Sequence, residues 1–265
     1  MNAMNVFKHV VIYFAVFALL VYIFSQLSLV KRDNVQEFTK QQEDRLISAI
    51  KESFVTSRTL VDNELITNAI ELISERLLHT LEEPKFEYSF YVIRNSSVNA
   101  FALPGGVIVL HTGLLSFAES PEEVAAVIAH EIGHSEKGHI MQKLMKEIGF
   151  SVVFTAITGG DLGAISEIAR RLISTRYDRT YEIEADAFAL QMLENASIDP
   201  RYLAAFFHRL SESSDDILDR LDILSTHPSH SSRRQAALAY QTAPDFEAVP
   251  FDGFNWELVR GLSKR

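Results

Sequence analysis

The sequence predicts an α+β fold, mainly helical, with one small antiparallel β-sheet, behind a single N-terminal membrane helix. Three observations carry this. An uncharged apolar run occupies most of the first thirty residues, aromatic and β-branched residues crowd between 86 and 111, and most of the remainder repeats its apolar residues at helical spacing. The chain has 265 residues, a net charge of −10, 47% hydrophobic and 23% charged residues, and no cysteine. That length is ample for a buried core of one or two domains, and the composition excludes a disordered tail or a disulfide scaffold. Without cysteine there is no thiol nucleophile, Cys-ligated zinc or iron–sulfur cluster. The acidic balance, with no dense basic run, argues against a nucleic-acid partner.

Taken in order, Val10 to Val30 is an apolar run of about 21 residues, roughly 31 Å as a helix, which is enough to cross a bilayer core. Lys31 and Arg32 close it, and no small-x-small cleavage site precedes them, so it reads as an uncleaved signal anchor over 1–32. The alternative is a cleaved signal peptide. Lys8 lies on one side, while Lys31, Arg32, Lys40 and Arg45 lie on the other, so the Lys/Arg count favours a cytoplasmic C-terminal domain. Residues 33–58 are polar with helical spacing (Phe38, Leu46, Ile47, Ile50, Phe54) and read as a connecting helix. The third region, 59–265, is the main domain. It opens with an amphipathic helix over 60–81 (Leu65, Ile66, Ala69, Leu72, Ile73, Leu77) that Pro84 ends. A strand follows at 86–94, then strand, Pro-Gly-Gly turn, strand and helix entry over 98–115. Ser120-Pro121-Glu122-Glu123 has the parts of a helix start, and predicts a long helix to about 140. Further helices are expected near 162–175, 180–195, 200–212 and 231–241, after an apolar stretch at 147–158 that breaks at Gly159-Gly160.

The long helix carries His130-Glu131-Ile132-Gly133-His134. Histidines at i and i+4 project from one face, the spacing that two zinc ligands require. Glu131 leans to the adjacent side, where it reaches a water acidified by the metal and takes its proton. HExxH also occurs by chance, but here the stripe Val127, His130, His134, Met141 faces the core, where polar groups need partners. Gly133 and Gly138 each cost a helix about 1 kcal/mol relative to Ala, and suggest a close approach of another backbone or a ligand. A third ligand is needed. His139 lies about 180° from His130 around an ideal helix, and reads as a structural or capping residue. Lys137 and Ile140 stand where an extended metzincin signature needs Gly and His, so that reading fails. The better source is 181–196. Its apolar stripe (Ala185, Ala189, Met192, Leu193, Ala196) extends back to Glu182, with Asp186 one turn later. Two carboxylates on a core-facing stripe are anomalous unless a cation or donors meet them. Glu182 as third ligand, with Asp186 accepting the outer N–H of a ligating histidine, satisfies both. Glu184 falls on the polar face and reads as solvated. The alternative is an internal salt bridge to Arg176 or Arg179.

HEIGH followed by ExxAD resembles the membrane-associated zinc metallopeptidases of the gluzincin group, family forty-eight of the metallo class, which includes the HtpX, Oma-type and Ste-type CAAX proteases. Three further stretches agree: Asn99-Ala100-Phe101-Ala102-Leu103-Pro104-Gly105-Gly106, Ser174-Thr175-Arg176-Tyr177-Asp178-Arg179, and Thr226-His227-Pro228 with Arg233 six residues after the histidine. The resemblance covers roughly 65–240. It implies a zincin-like domain binding one Zn²⁺ through His130, His134 and Glu182. Glu131 would be the general base and later proton donor, with Asp186 behind a ligand. It also implies His227 near the cleft as a stabiliser of the oxyanion, Arg233 as an orienting group, and Asn99, Ala100, Phe101 and Ala102 as an edge strand taking up an extended peptide. A single span departs from the multi-span branches and argues against prenyl-protein processing.

These readings lead to a membrane-anchored zinc endopeptidase acting on unfolded or extended protein segments, in envelope protein quality control. The resemblance implies a periplasmic catalytic domain on a bacterial inner membrane, against the Lys/Arg count, whose signal the short N-terminal tail, Asp33 and Glu37 blunt. The alternatives are a gated or chaperone-like binding module that keeps the zinc fold, with 147–158 as a lid, and a purely structural metal site. A structural site has no need of Glu131.

Overall fold

The computed structural model describes residues 60–149, 162–213, 221–227 and 230–264, with a few helical positions within 44–49 and 152–155. The chain divides into two compact units, Met1–Glu43 and Asp44–Arg265, and the description that follows concerns the second. The expected membrane helix, its orientation, most of the connecting helix and most of the apolar stretch 147–158 lie outside the described residues. Among the described residues, no helix is long and apolar enough to cross a membrane.

Helix α1 (Glu64–Leu78) is capped by Asn63, whose side chain accepts from the N–H groups of Leu65 and Ile66. It buries Ile66, Ala69, Ile70, Ile73 and Leu77, at the i, i+3, i+4, i+7 spacing of one face; Leu65, expected in that stripe, is exposed. Three strands follow: β1 (Ser89–Ile93), β2 (Ala100–Leu103) and β3 (Val107–His111). The sheet is small and three-stranded, as expected, but it is mixed rather than antiparallel. Its order is β1-β3-β2, with β1 parallel to β3 and β2 antiparallel to it. The Pro104-Gly105-Gly106 turn, with both glycines at positive φ, folds β3 back between the two earlier strands. The inserted strand is buried at every position, as a central strand is when both faces are covered. This leaves β2 at an edge.

The short helix α2 (Thr112–Phe117) leads to α3 (Pro121–Glu136). Ser120 caps α3 by accepting from Glu123 N–H, Pro121 opens it, and the Glu123 carboxylate reaches back to Glu119 N–H at 2.8 Å. Every residue of α3 from Glu122 to Glu136 is buried, so α3 is the axis of the core. It packs against α1, β2 and two later helices, α6 (Arg179–Asn195) and α7 (Arg201–Ser211). The helix expected to run to 140 stops at Glu136. Gly138 takes φ +72°, a left-handed residue that ends one helix and starts another, α4 (His139–Glu147). The remaining elements are α5 (Leu162–Ser174), α8 (Asp222–Thr226), α9 (His230–Ala239) and α10 (Trp256–Ser263). α10 packs on α1 and α2, burying Trp256 and Val259. Arg76 holds the approach to it by donating to the carbonyls of Ala196, Ser197 and Val249 at 2.8, 2.9 and 2.7 Å.

Candidate metal centre and active site

The centre gathers around the C-terminal half of α3, where His130, Glu131 and His134 are all buried. α6 lies against this half and presents Glu182 and, one turn later, Asp186. Gly133 makes the approach possible: a Cβ there would stand 2.9 Å from the Ala185 carbonyl oxygen and 3.2 Å from its Cα. α8 ends at Thr226 and delivers His227, and α9 delivers Arg233.

One atom each from His130, His134, Glu182 and His227 lies within 4.8 Å of the other three. The Nε2 atoms of the two α3 histidines face each other at 3.1 Å. Glu182 oxygens stand 3.6 Å from His130 Nε2 and 3.5 Å from His134 Nε2. His227 Nδ1 is 2.8 Å from Glu182 Oε1 and 3.3 Å from His130 Nε2. Behind the centre, His130 Nδ1 lies 3.0 Å from Asp186 Oδ1. Arg233 Nη2 also stands 3.3 Å from that nitrogen; a proton on Nδ1 would be met by the Asp186 carboxylate and would leave the Nε2 lone pair pointing inward. Lone pairs and a carboxylate crowded at these distances repel unless a cation lies among them, and a nitrogen-and-oxygen set of this kind suits zinc. The residues therefore fit the expected ion.

The site residues expected from the sequence come together. Arg233 grips Asp186 with two bonds, Nε to Oδ2 at 2.6 Å and Nη2 to Oδ1 at 2.7 Å, and its Nη1 lies 2.6 Å from Glu182 Oε2 as an ion pair out of line for a hydrogen bond. Arg176 and Arg179, the alternative partners for the α6 carboxylates, do not hold them. Arg176 instead donates to the Ser225 carbonyl. Glu131 accepts from Ala102 N–H on Oε2 at 3.0 Å; its Oε1 has no hydrogen-bond partner among the described residues and lies 3.6 Å from His227 Nε2. Asn99 passes its carbonyl to His111 N–H, which makes Asn99 and His111 a bonded pair. Alternation along β2 then turns the backbone groups of Ala100 and Ala102 to the edge away from β3, where Ala102 N–H meets Glu131.

Charge follows packing. Burial pushes the Glu131 carboxyl up, against the pull of His227 and His130. Burial would also raise Glu182 and Asp186, but His227, His134 and Arg233 hold Glu182 far below the usual carboxylate range, and Arg233 with His130 holds Asp186 down. Burial drives His134 well below its ordinary value, so its ring is neutral and able to donate a lone pair.

Two contributors, Tyr177 and Lys143, were missed from sequence, and two more, His139 and Glu184, were placed differently. Tyr177 stacks on His134 with centroids 3.8 Å apart, and buried Lys143 stands 3.9 Å from the same ring's centroid, burial pushing its ammonium down to about 8. His139 does not sit on the far side of the helix: the break at Gly138 turns it back, and its Nδ1 lies 3.1 Å from His134 Nδ1. Glu184, taken as solvated, is half-exposed but meets His139 Nε2 at 3.1 Å. A glycine four residues after the second histidine was the available signal for the break.

Two histidines one turn apart on a buried helix, a carboxylate from a second helix, and a buried base beside them define a metallopeptidase-type centre. The chain belongs to peptidase family M48, whose model matches residues 64–241, from the start of α1 to just past α9. That membership places it among the metallopeptidases, a class of hydrolases. It is similar to the mitochondrial metalloendopeptidase OMA1 of Arabidopsis thaliana, 32% identical over 177 residues, which are 66% of this chain and 36% of that protein. The β-barrel assembly-enhancing protease of Yersinia pestis is 28% identical over 192 residues, 67% of this chain and 39% of its own. OMA1 of Schizosaccharomyces pombe is 28% identical over 222 residues, 80% of this chain and 66% of its own. The chain spans less than two fifths of the length of the first two relatives.

Proposed function

We propose that the protein is a membrane-anchored zinc endopeptidase that cuts unfolded or extended protein segments in envelope quality control. The observation that carries the reading is Glu131 Oε1, a buried carboxylate oxygen with no hydrogen-bond partner among the described residues, beside the three-histidine, one-carboxylate cluster. His130, His134 and Glu182 would hold the ion, which when bound supplies Lewis acidity toward a peptide carbonyl and acidifies water. Ala102 N–H holds Glu131 Oε2, so Oε1 is the oxygen that takes a proton from the attacking water and returns it to the leaving amine. Asp186 fixes the His130 ring, and Arg233 fixes Asp186. The edge of β2 over Asn99–Ala102 receives the substrate as an added strand. The membrane anchor and a periplasmic catalytic domain rest on the apolar run at 10–30, the family, and relatives named as a mitochondrial metalloendopeptidase and a β-barrel assembly-enhancing protease.

The test is casein degradation by the zinc-loaded full chain in detergent, beside Glu131→Gln. Loss of about 10²–10⁴-fold with zinc retained supports the base. Equal cleavage by both sinks it. A gated enzyme is the second reading, and His227 favours it, because its Nδ1 stands within the same cluster and would close the centre as a fourth ligand. His227→Phe separates the roles. Faster cleavage marks a gate, and slower cleavage with zinc retained marks an oxyanion stabiliser.

A further inference from the structure

We propose that His139 and Glu184 form a positioning relay for His134, setting its tautomer and its strength as a metal ligand. The inference rests on the reading of His134 as a ligand. Glu184 Oε2 lies 3.1 Å from His139 Nε2, and His139 Nδ1 lies 3.1 Å from His134 Nδ1. The protons on this chain are fixed from its outer end. A carboxylate only accepts, so His139 carries its proton on Nε2. In the neutral ring its Nδ1 is then an acceptor, and the neighbouring His134 Nδ1 must be the donor. His134 is left with a lone pair on Nε2, the atom that faces His130 Nε2 across the centre at 3.1 Å. Donation from Nδ1 raises the basicity of Nε2 and stops the ring from turning.

The fold invests in this arrangement. Gly138, at φ +72°, breaks the helix one residue before His139 and brings that ring within 5.2 Å of the His134 ring, centroid to centroid. Tyr181 stacks on His139 at 4.4 Å and 15°, and His139 is 1% exposed. One helix backs both ligands: Asp186 meets His130 directly, and Glu184, one turn of α6 from Tyr181 and two residues past Glu182, meets His134 through His139.

The test is zinc affinity of the full chain, measured by competition with a chromophoric chelator, with the Co²⁺ absorption spectrum as a second readout. His139→Phe keeps the stack on Tyr181 and removes both hydrogen bonds. It should bind zinc about 10–100-fold more weakly. His139→Gln, whose carbonyl accepts from His134 and whose amide donates to Glu184, should recover most of that loss, which a merely space-filling role would not produce. Glu184→Ala, at a half-exposed surface, should give a smaller loss in the same direction, and it carries the test if His139→Phe does not fold. Parent-like affinity in both His139→Phe and Glu184→Ala overturns the relay. Failure of the parent to bind zinc overturns the metal reading instead.

Discussion

Two buried cations flank the centre, and they are held in opposite ways. Arg233, on the His130 side, is 4% exposed and lies against two carboxylates, which raise its affinity for its proton. Lys143, on the His134 side, is equally buried but has no hydrogen bond or ion pair among the described residues. It rests on the ring of Tyr177, whose opposite face must be the one that stacks on His134. One cation is a structural counter-ion that the α6 carboxylates cannot do without. The other is tolerated through a ring quadrupole and a depressed proton affinity. The two histidines of the centre, one turn apart on one helix, therefore sit in unlike surroundings: an arginine–carboxylate clamp behind His130 and a histidine–carboxylate pair behind His134.

The largest effect is expected from Arg233→Met, which leaves Asp186 and Glu182 buried without their cation. Unfolding by denaturant should show a loss of about 3–5 kcal/mol in the zinc-free protein. A loss below about 1 kcal/mol would erase the distinction between the two sides. Next, Asp186→Ala removes the direct acceptor behind His130, and zinc affinity should fall about 10–100-fold. A fall no greater than that of Glu184→Ala would make the direct and relayed supports equivalent. The smallest effect has the opposite sign. The ammonium of Lys143 is disfavoured in the fold, so its cost is fully present below its folded value of about 8 and is relieved as pH rises toward the ordinary 10.5. Lys143→Met should stabilise the fold at pH 7 by on the order of 1 kcal/mol after the lost cation–ring contact is subtracted, read as a higher Tm, and the gain should vanish near pH 10.5. A gain independent of pH would mean that packing, not charge, was the cause.

Legibility from sequence tracked how local each determinant was. The start of α3 was readable because cap, proline and glutamate act within one turn. The ligand helix was readable because Glu182 and Asp186 violate an apolar stripe, and a violated stripe asks for a partner. What failed was extrapolation. Projecting His139 around a continuous helix ignored the left-handed residue at Gly138, and placed the ring opposite to where it lies. The antiparallel sheet failed for a related reason: the Pro-Gly-Gly turn fixes β2 antiparallel to β3, but only tertiary packing decides that β1 pairs with β3 in parallel. The grip of Arg233 on Asp186 spans 47 positions and has no local signature, so only the family resemblance pointed to it.

Gly133 sets the bore of the centre. An alanine would suit a buried helix better by about 1 kcal/mol in backbone terms, yet its methyl would land 2.9 Å from the Ala185 carbonyl oxygen, a backbone atom with nowhere to yield. The clearance between the two helices is thus one methyl group, and the gap between the α3 imidazoles and the Glu182 carboxylate is gauged by that clearance. The centre behaves as a caliper whose closed position is set by a carbon atom that is not there, so its tolerance to substitution is fixed by spacing at a residue that touches no ligand.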